Sequence, residues 1–299
     1  MGRVLPFGKE FSKEKIVLEV DQMIEMKPMM ERKRAKRKNM LRELLKADKP
    51  SLGTHLLGSW PGLVEVIGQT GAIDYIEFVG EYAPYDLYSL ENFGRAINLF
   101  DHMSSMMKID QEPRLYLACR AIGSGIQNLL FADIRTVEDV KQCVAAVRAE
   151  TPKTGGLNGV GMRRDMGYVM APGSKAYVEQ LEDSVVALMV EKQSALEHLE
   201  EILSVKGVDM VQFGPADYSM SIGIPGQWND PKVKEAERYT IETALRKGVA
   251  PRVELMDFKD AEPYLKMGVK HFCIGWDVEI LYRYCMDQGG AFRSFFKRD

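Results

Sequence analysis

No run of apolar residues in this 299-residue chain approaches the roughly 20 that a membrane-spanning helix requires. The opening stretch, residues 1–15, has neither an apolar core nor a small-residue cleavage site, so a secretory leader is not expected. Cysteine is scarce. Cys119, Cys143, Cys273 and Cys285 stand far apart, with no CxxC pair and no Cys/His zinc spacing. Histidine is scarcer in effect, because no two of the four sit at metal-ligand spacing. GxSxG, Walker A and kinase motifs are missing, which argues against those nucleophile and nucleotide chemistries. Together these absences lead us to expect a reduced, cytoplasmic protein with no membrane partner.

The composition that remains is ordinary: 45% apolar and 28% charged residues, enough chain for a core without staples. The 18 methionines suggest much filled apolar surface. Charge is uneven. Residues 1–50 carry 14 basic and 8 acidic side chains, although the whole chain has a formal charge of −3. Arg32, Lys33, Arg34, Lys36, Arg37 and Lys38 form the densest run. With the rest of the chain acidic, this reads as a solvated or subunit-contacting helix face, and no nucleic-acid partner is expected. Ile16, Val20, Met23 and Ile24 fall on one helical face of the same segment. We therefore expect a basic, partly helical N-terminal arm over residues 1–40 and a separate domain over 41–299.

From about residue 50, short apolar runs alternate with amphipathic stretches. The runs are Leu52–Leu57, Tyr75–Val79, Ser104–Ile109, Asn128–Asp133, Val185–Glu191, Met210–Gly214, Ala250–Glu254 and Phe272–Gly275. Helical patterns fill the gaps at Leu87–Phe100, Val137–Glu150, Ala195–Leu203, Pro231–Lys247 and Ala261–Met267. Glycines at 71, 125, 207 and 268 mark helix-ending elbows before several strands. Eight strand–helix units make a parallel sheet and fit an α/β (β/α)8 TIM barrel with an N-terminal helical extension. A doubly wound open sheet is the alternative. It normally carries a glycine fingerprint after its first strand, and residues 57–62 are not GxGxxG.

Barrel chemistry sits at the C-terminal strand ends. Those ends hold Glu81 and Tyr82, Lys108, Asp133, Glu191, Asp217 and Glu254. Glu191 and Asp217 close apolar strands on consecutive units, an arrangement in which two carboxylates can share a hard divalent cation. The alternative is that each caps a helix or pairs with a lysine, Lys192 being one candidate. The Gly214-Pro215-Ala216-Asp217 turn offers backbone N–H groups to a carboxylate or phosphate, or is an ordinary loop. His55 lies in the first strand and reads as a core side chain. His102, His198 and His271 read as solvent-exposed.

The segment Gly214-Pro215-Ala216-Asp217-Tyr218-Ser219, with Gly223, Pro225 and Gly226 beyond it, resembles the HpcH/HpaI aldolase/citrate lyase family of metal-dependent pyruvate aldolases. Leu52-Gly53-Thr54, Gly80-Glu81, Ala83-Pro84, Val190-Glu191 and Gly207-Val208-Asp209 agree with it in order, over roughly residues 40–285. The resemblance implies a (β/α)8 barrel, a homo-oligomer (usually a hexamer), and Mg2+, Mn2+ or Co2+ held by Glu191 and Asp217. It implies carbon–carbon bond cleavage or formation through a metal-bound pyruvate enolate, with a 2-oxo acid and an aldehyde or ketone as substrates. Gly214, Pro215, Ala216 and Ser219 then line the 2-oxo acid, with the Ala216 and Asp217 amides on its carboxylate.

The chain departs from that pattern where the family handles protons. The family's Asp-Gly-Glu-His stretch reads Val79-Gly80-Glu81-Tyr82 here, and its third-strand arginine becomes Lys108. Lysine keeps the charge and loses the bidentate fork. Tyr82 exchanges protons, but an ordinary phenol is a poor base near neutral pH. Arg120 falls mid-helix and reads as structural. Lys108, Tyr82 and Glu81 are thus the expected catalytic residues. A rim of Tyr82, Tyr85, Tyr88 and Tyr218 suggests an apolar or aromatic acceptor. Three other outcomes remain open: decarboxylation of a related 2-oxo acid, a Schiff-base enzyme using Lys108 or Lys192, and a degenerate barrel that only binds.

Overall fold

The computed structural model describes residues 37–296 apart from Met170. The expected arm and its basic run fall almost wholly outside the described residues. Residues from Lys38 onward form one unit. Eight strands close into a barrel in sequence order: β1 (Ser51–Leu56), β2 (Tyr75–Val79), β3 (Ser104–Ile109), β4 (Asn128–Phe131), β5 (Val186–Val190), β6 (Met210–Phe213), β7 (Ala250–Leu255) and β8 (His271–Trp276). Every neighbouring pair is parallel, including β1 with β8. The helices are α1 (Met40–Lys46), α2 (Pro61–Gln69), α3 (Leu87–Ile97), α4 (Arg114–Ser124), α5 (Val137–Val147), α6 (Lys175–Glu182), α7 (Gln193–Glu197), α8 (Leu199–Ile202), α9 (Pro215–Ser221), α10 (Pro231–Lys247), α11 (Glu262–Met267) and α12 (Asp277–Phe295). The (β/α)8 barrel expected from the alternation is the fold. No helix among the described residues is long and apolar enough to cross a membrane.

Local signals place the elements. Asp86 and Thr136 form reciprocal caps at the starts of α3 and α5, and Gly125 and Gly268 end α4 and α11 with φ of 106° and 96°. The expected single helix Ala195–Leu203 is two, because His198 leaves helical dihedrals at φ −113° and ψ 21°. Strands β4 and β5 end before Asp133 and Glu191, so both acidic residues open loops instead of closing strands. At β4 the cause is local: Asp133 adopts φ 55°, a left-handed conformation that cannot extend a strand.

Helix α1 plugs the N-terminal mouth. Asn39 caps it, donates to Asn128 Oδ1 at 2.7 Å, and reaches the Asp183 carbonyl at 2.9 Å. Arg42 grips Asp209 with two contacts of 2.6 Å. Leu41 then packs inside the barrel with Tyr75, Met106, Leu130, Ala187, Met189 and Met210. Gly53 makes room for this layer, since a Cβ there would sit 2.3 Å from the Tyr75 ring. The apolar floor leaves the C-terminal half of the barrel to polar side chains.

Candidate active site

A cavity of about 480 Å³ opens at the C-terminal strand ends. Tyr82, Lys108, Glu191, Gly214, Pro215, Ala216 and Asp217 all line it, so seven of the nine residues singled out from the sequence meet there. Glu81 adjoins them through Lys108. Ser219 does not join them. It is fully buried, and its hydroxyl donates to the Ala216 carbonyl at 2.7 Å, inside its own helix.

On the β5–β6 side, Glu191 is 2% exposed and accepts from the Asp133 backbone N–H at 2.8 Å through Oε1. The left-handed backbone of Asp133 aims that N–H, so local strain fixes a carboxylate at the cavity. Gly214 is the cradle for the second oxygen: a Cβ there would come 2.7 Å from Glu191 Oε2. Burial pushes the Glu191 pKa up, and the negative charges of Asp217 and Glu81 add to this, against Lys108 and the Asp133 amide. Asp217, one turn into α9, accepts from Lys192 Nζ at 2.8 Å, and the same ammonium lies 2.7 Å from Asp133. The lysine pairing weighed for Asp217 is therefore present.

Among the described residues no group of three or more His, Cys, Asp or Glu side chains is arranged to hold a metal. Two carboxylates remain. Lys192 is paired with one Asp217 oxygen, and Glu191 Oε2 takes no hydrogen bond from the described residues. Glu191 Oε2 and the second Asp217 oxygen are thus uncommitted among the described residues. This donor set fits a hard divalent cation with open positions for water and substrate oxygens.

On the β2–β3 side, Lys108 is 6% exposed. Its Nζ lies 2.5 Å from Glu81 Oε2 and donates to the Tyr82 hydroxyl at 3.2 Å. Burial opposes its charge, but Glu191 and Glu81 more than offset this, so the ammonium stays protonated well above the usual range. Tyr82 is 53% exposed at the rim, and burial of part of its ring, with Glu81 and Glu191 nearby, raises its pKa. It is thus a proton donor and a poor base. Val79 is buried and apolar. The aromatic rim does not form as expected. Tyr218 packs under Phe213 at 5.2 Å, Tyr85 packs edge-on to Phe78 at 5.5 Å, and only Tyr82 of the four lines the cavity. Arg120 lies on the outer face of α4, over the Tyr116 ring.

A third group adds three residues not singled out from the sequence, Glu77, Gln212 and Arg252, to His55 and Glu254. His55 on β1, Glu77 on β2, Gln212 on β6 and Arg252 and Glu254 on β7 line the same cavity. Arg252 is 1% exposed and holds Glu77 Oε2 at 2.5 Å, Gln212 Oε1 at 2.6 Å and the Tyr75 hydroxyl at 2.8 Å, with its Nη2 3.0 Å from His55 Nε2. Burial opposes the Glu77 charge, but Arg252 and His55 bring its pKa down to about 2. His55 is buried, but it lines the cavity at the barrel centre and so is not a plain core side chain. Burial opposes the imidazolium, and Cys273, Glu77 and Glu254 outweigh burial and raise its pKa. The expected exposure of His271 is overturned. Strand β8 begins at His271, whose ring points into the barrel, is 5% exposed and meets the Ser51 hydroxyl at 2.9 Å. His102 is half-buried beside Phe100, and His198 is exposed as expected.

The family model of the HpcH/HpaI aldolase/citrate lyase family matches residues 106–283, more than half of the chain. The chain belongs to that family. It is a divergent member. A 4-hydroxy-2-oxo-heptane-1,7-dioate aldolase of Klebsiella pneumoniae is 28% identical over 253 residues, covering 82% of this chain and 90% of that protein. The Escherichia coli enzyme of the same name is 27% identical over 248 residues, covering 82% and 91%. An HpcH/HpaI aldolase from Desulfitobacterium hafniense superposes with a TM-score of 0.77 at 25% identity, over 86% of this chain and 97% of that one. A Burkholderia cenocepacia family protein gives 0.78 at 26% identity, over 86% and 100%.

Proposed function

We propose that this protein is a divalent-metal-dependent, aldolase-type carbon–carbon lyase that cleaves or forms the bond next to a 2-oxo acid. The observation that carries the reading is the convergence of Glu191 and Asp217, from consecutive β-strand units, on one cavity beside a Gly-Pro turn. Glu191 and Asp217 are the residues that would hold Mg2+, Mn2+ or Co2+. When bound, such a cation polarises the 2-oxo group and stabilises negative charge developing on its oxygen. The Ala216 and Asp217 amides, in the first turn of α9, receive the substrate carboxylate. Lys108, held in place by Glu81 and Tyr82, faces the keto oxygen and supplies fixed positive charge from a buried position. In cleavage Glu81, through water, takes the proton of the C4 hydroxyl, and Tyr82 gives a proton to C3 of the departing pyruvate. Val79 leaves the second strand end without the acid–base pair its relatives' family pattern places there.

A homo-oligomer belongs to the same reading. Ile280, Leu281, Tyr284, Met286 and Phe292 of α12 are exposed in the single chain, more apolar surface than one helix ordinarily leaves in water.

The test is pyruvate release from a panel of 4-hydroxy-2-oxo acids, beginning with the relatives' heptane-1,7-dioate. The enzyme is chelated and then given back Mg2+, Mn2+ or Co2+. Metal-restored release that Glu191→Gln and Asp217→Asn both lose supports the lyase. Absence of release from every 4-hydroxy-2-oxo acid, with oxaloacetate still decarboxylated, moves the reading to a decarboxylase.

A further inference from the structure

The network around Arg252 has an uneven exposure that bears on substrate choice. Its cations are sealed: the side chains of Arg252 and His55 are 0% and 4% exposed. Its anion Glu77 is sealed too, at 2%. Glu254 alone is open, with 41% of its side chain exposed at the cavity. Its position is fixed from behind and from the side. His55 Nδ1 lies 3.4 Å from Oε1, and Gln212 Nε2 donates to Oε2 at 3.1 Å. Gln212 is itself tied to Arg252, so its amide is committed and does not swing toward a ligand.

The face this network offers is therefore a carboxylate that accepts hydrogen bonds and presents no donor of its own. Of the other cations lining the cavity, Lys108 is held by Glu81, and Arg283 at the rim gives its Nε to Glu279. A substrate carboxylate laid against Glu254 would meet like charge there. A bare alkyl group would strip water from the exposed Glu254 carboxylate and return no hydrogen bond. A hydroxyl group returns one.

We infer that Glu254, positioned by His55 and Gln212, selects a neutral hydroxyaldehyde as the carbonyl partner and rejects an aldehyde that bears a carboxylate. The inference rests on the proposed aldol reading. In that reaction C3 of pyruvate bonds to the aldehyde carbon, C3 gives up a proton, and the aldehyde oxygen gains one. No oxidant or reductant enters.

The experiment compares glyceraldehyde, butanal and succinic semialdehyde as partners for pyruvate, with the divalent metal present and product read by chromatography. Glyceraldehyde is expected to exceed butanal by about tenfold and succinic semialdehyde by about a hundredfold in kcat/KM. Glu254→Gln should shrink the preference over succinic semialdehyde to less than about tenfold. Glu254→Asp, which keeps the charge, should preserve its direction. Circular dichroism establishes that each variant is folded. Equal use of the three aldehydes, preference for the acid, or an unchanged ratio in folded Glu254→Gln overturns the inference. Deuterium uptake at C3 of pyruvate, measured by mass spectrometry without any aldehyde, separates the two claims. Uptake with the wrong aldehyde preference removes the selectivity alone, and no uptake removes both.

Discussion

The two sides of the barrel mouth are built on different principles. On the β5–β6 side, carboxylates stand at the cavity and their partners are near in sequence: Lys192 and Asp217 are 25 residues apart. On the β1–β7 side, every charge but Glu254 is sealed and the partners are distant: Arg252 lies 177 residues from Tyr75 and 197 from His55. The first side leaves Glu191 Oε2 and one Asp217 oxygen uncommitted among the described residues, which suits a site that takes up a cation. The second balances Glu77 and Glu254 against Arg252 and His55, which suits a wall that must hold its shape.

The sharpest break in that comparison is Arg252→Met. It leaves Glu77 charged and buried with one protonatable neighbour, and should lower unfolding free energy in urea by about 3–5 kcal/mol. Lys192→Met, which releases the more exposed Asp133 and Asp217, should cost about 1 kcal/mol or less. Equal losses would erase the distinction between a sealed and an open side.

A second difference is one of pH. Burial, with Lys270 nearby, brings the His271 pKa down to about 4. The unfolded chain therefore takes up this proton first as pH falls. The associated stability is complete above about 6.5 and drains away between there and about 4, by roughly 3 kcal/mol in all. His271→Gln should flatten that part of the urea-midpoint profile. His55 has the opposite sign. Its raised pKa adds stability that is present below 6.5 and lost only as pH rises through the folded value. A wild-type profile that does not change between pH 6.5 and 4 would contradict the His271 account.

Catalysis sharpens the comparison further. Lys108→Met removes the fixed charge at the keto oxygen and should lower kcat by about a hundredfold. Tyr82→Phe removes a rim donor that water can replace and should lower it about tenfold. Steady-state kinetics at saturating metal read both, and the order of the two effects is the informative result.

How much was legible in the sequence follows the same division. Strand alternation and glycine elbows are local, so all eight strands stand within a few residues of where their patterns lie. Glu191 and Asp217 are legible because each ends an apolar run before a recognisable turn. The role of Asp133 is not, since its backbone N–H and left-handed φ carry it, and composition encodes neither. Glu77 and Arg252 sit inside strands, where a charged residue ordinarily argues for an outward face. Their mutual burial appears only when β1, β2, β6 and β7 are brought round one axis. His271 was misplaced because the apolar run begins at Phe272, whereas the strand starts one residue earlier, where His271 pairs with Ser51 and is buried.

The central claim is that Glu191 and Asp217 hold one divalent cation. Isothermal titration of the chelated protein with Mn2+ tests it without reference to any substrate. The account predicts one ion per chain in the wild type, with affinity at least about a hundredfold weaker in Glu191→Gln and in Asp217→Asn. Mn2+ binding that both folded variants retain at wild-type affinity, or no binding by the wild type, would contradict it.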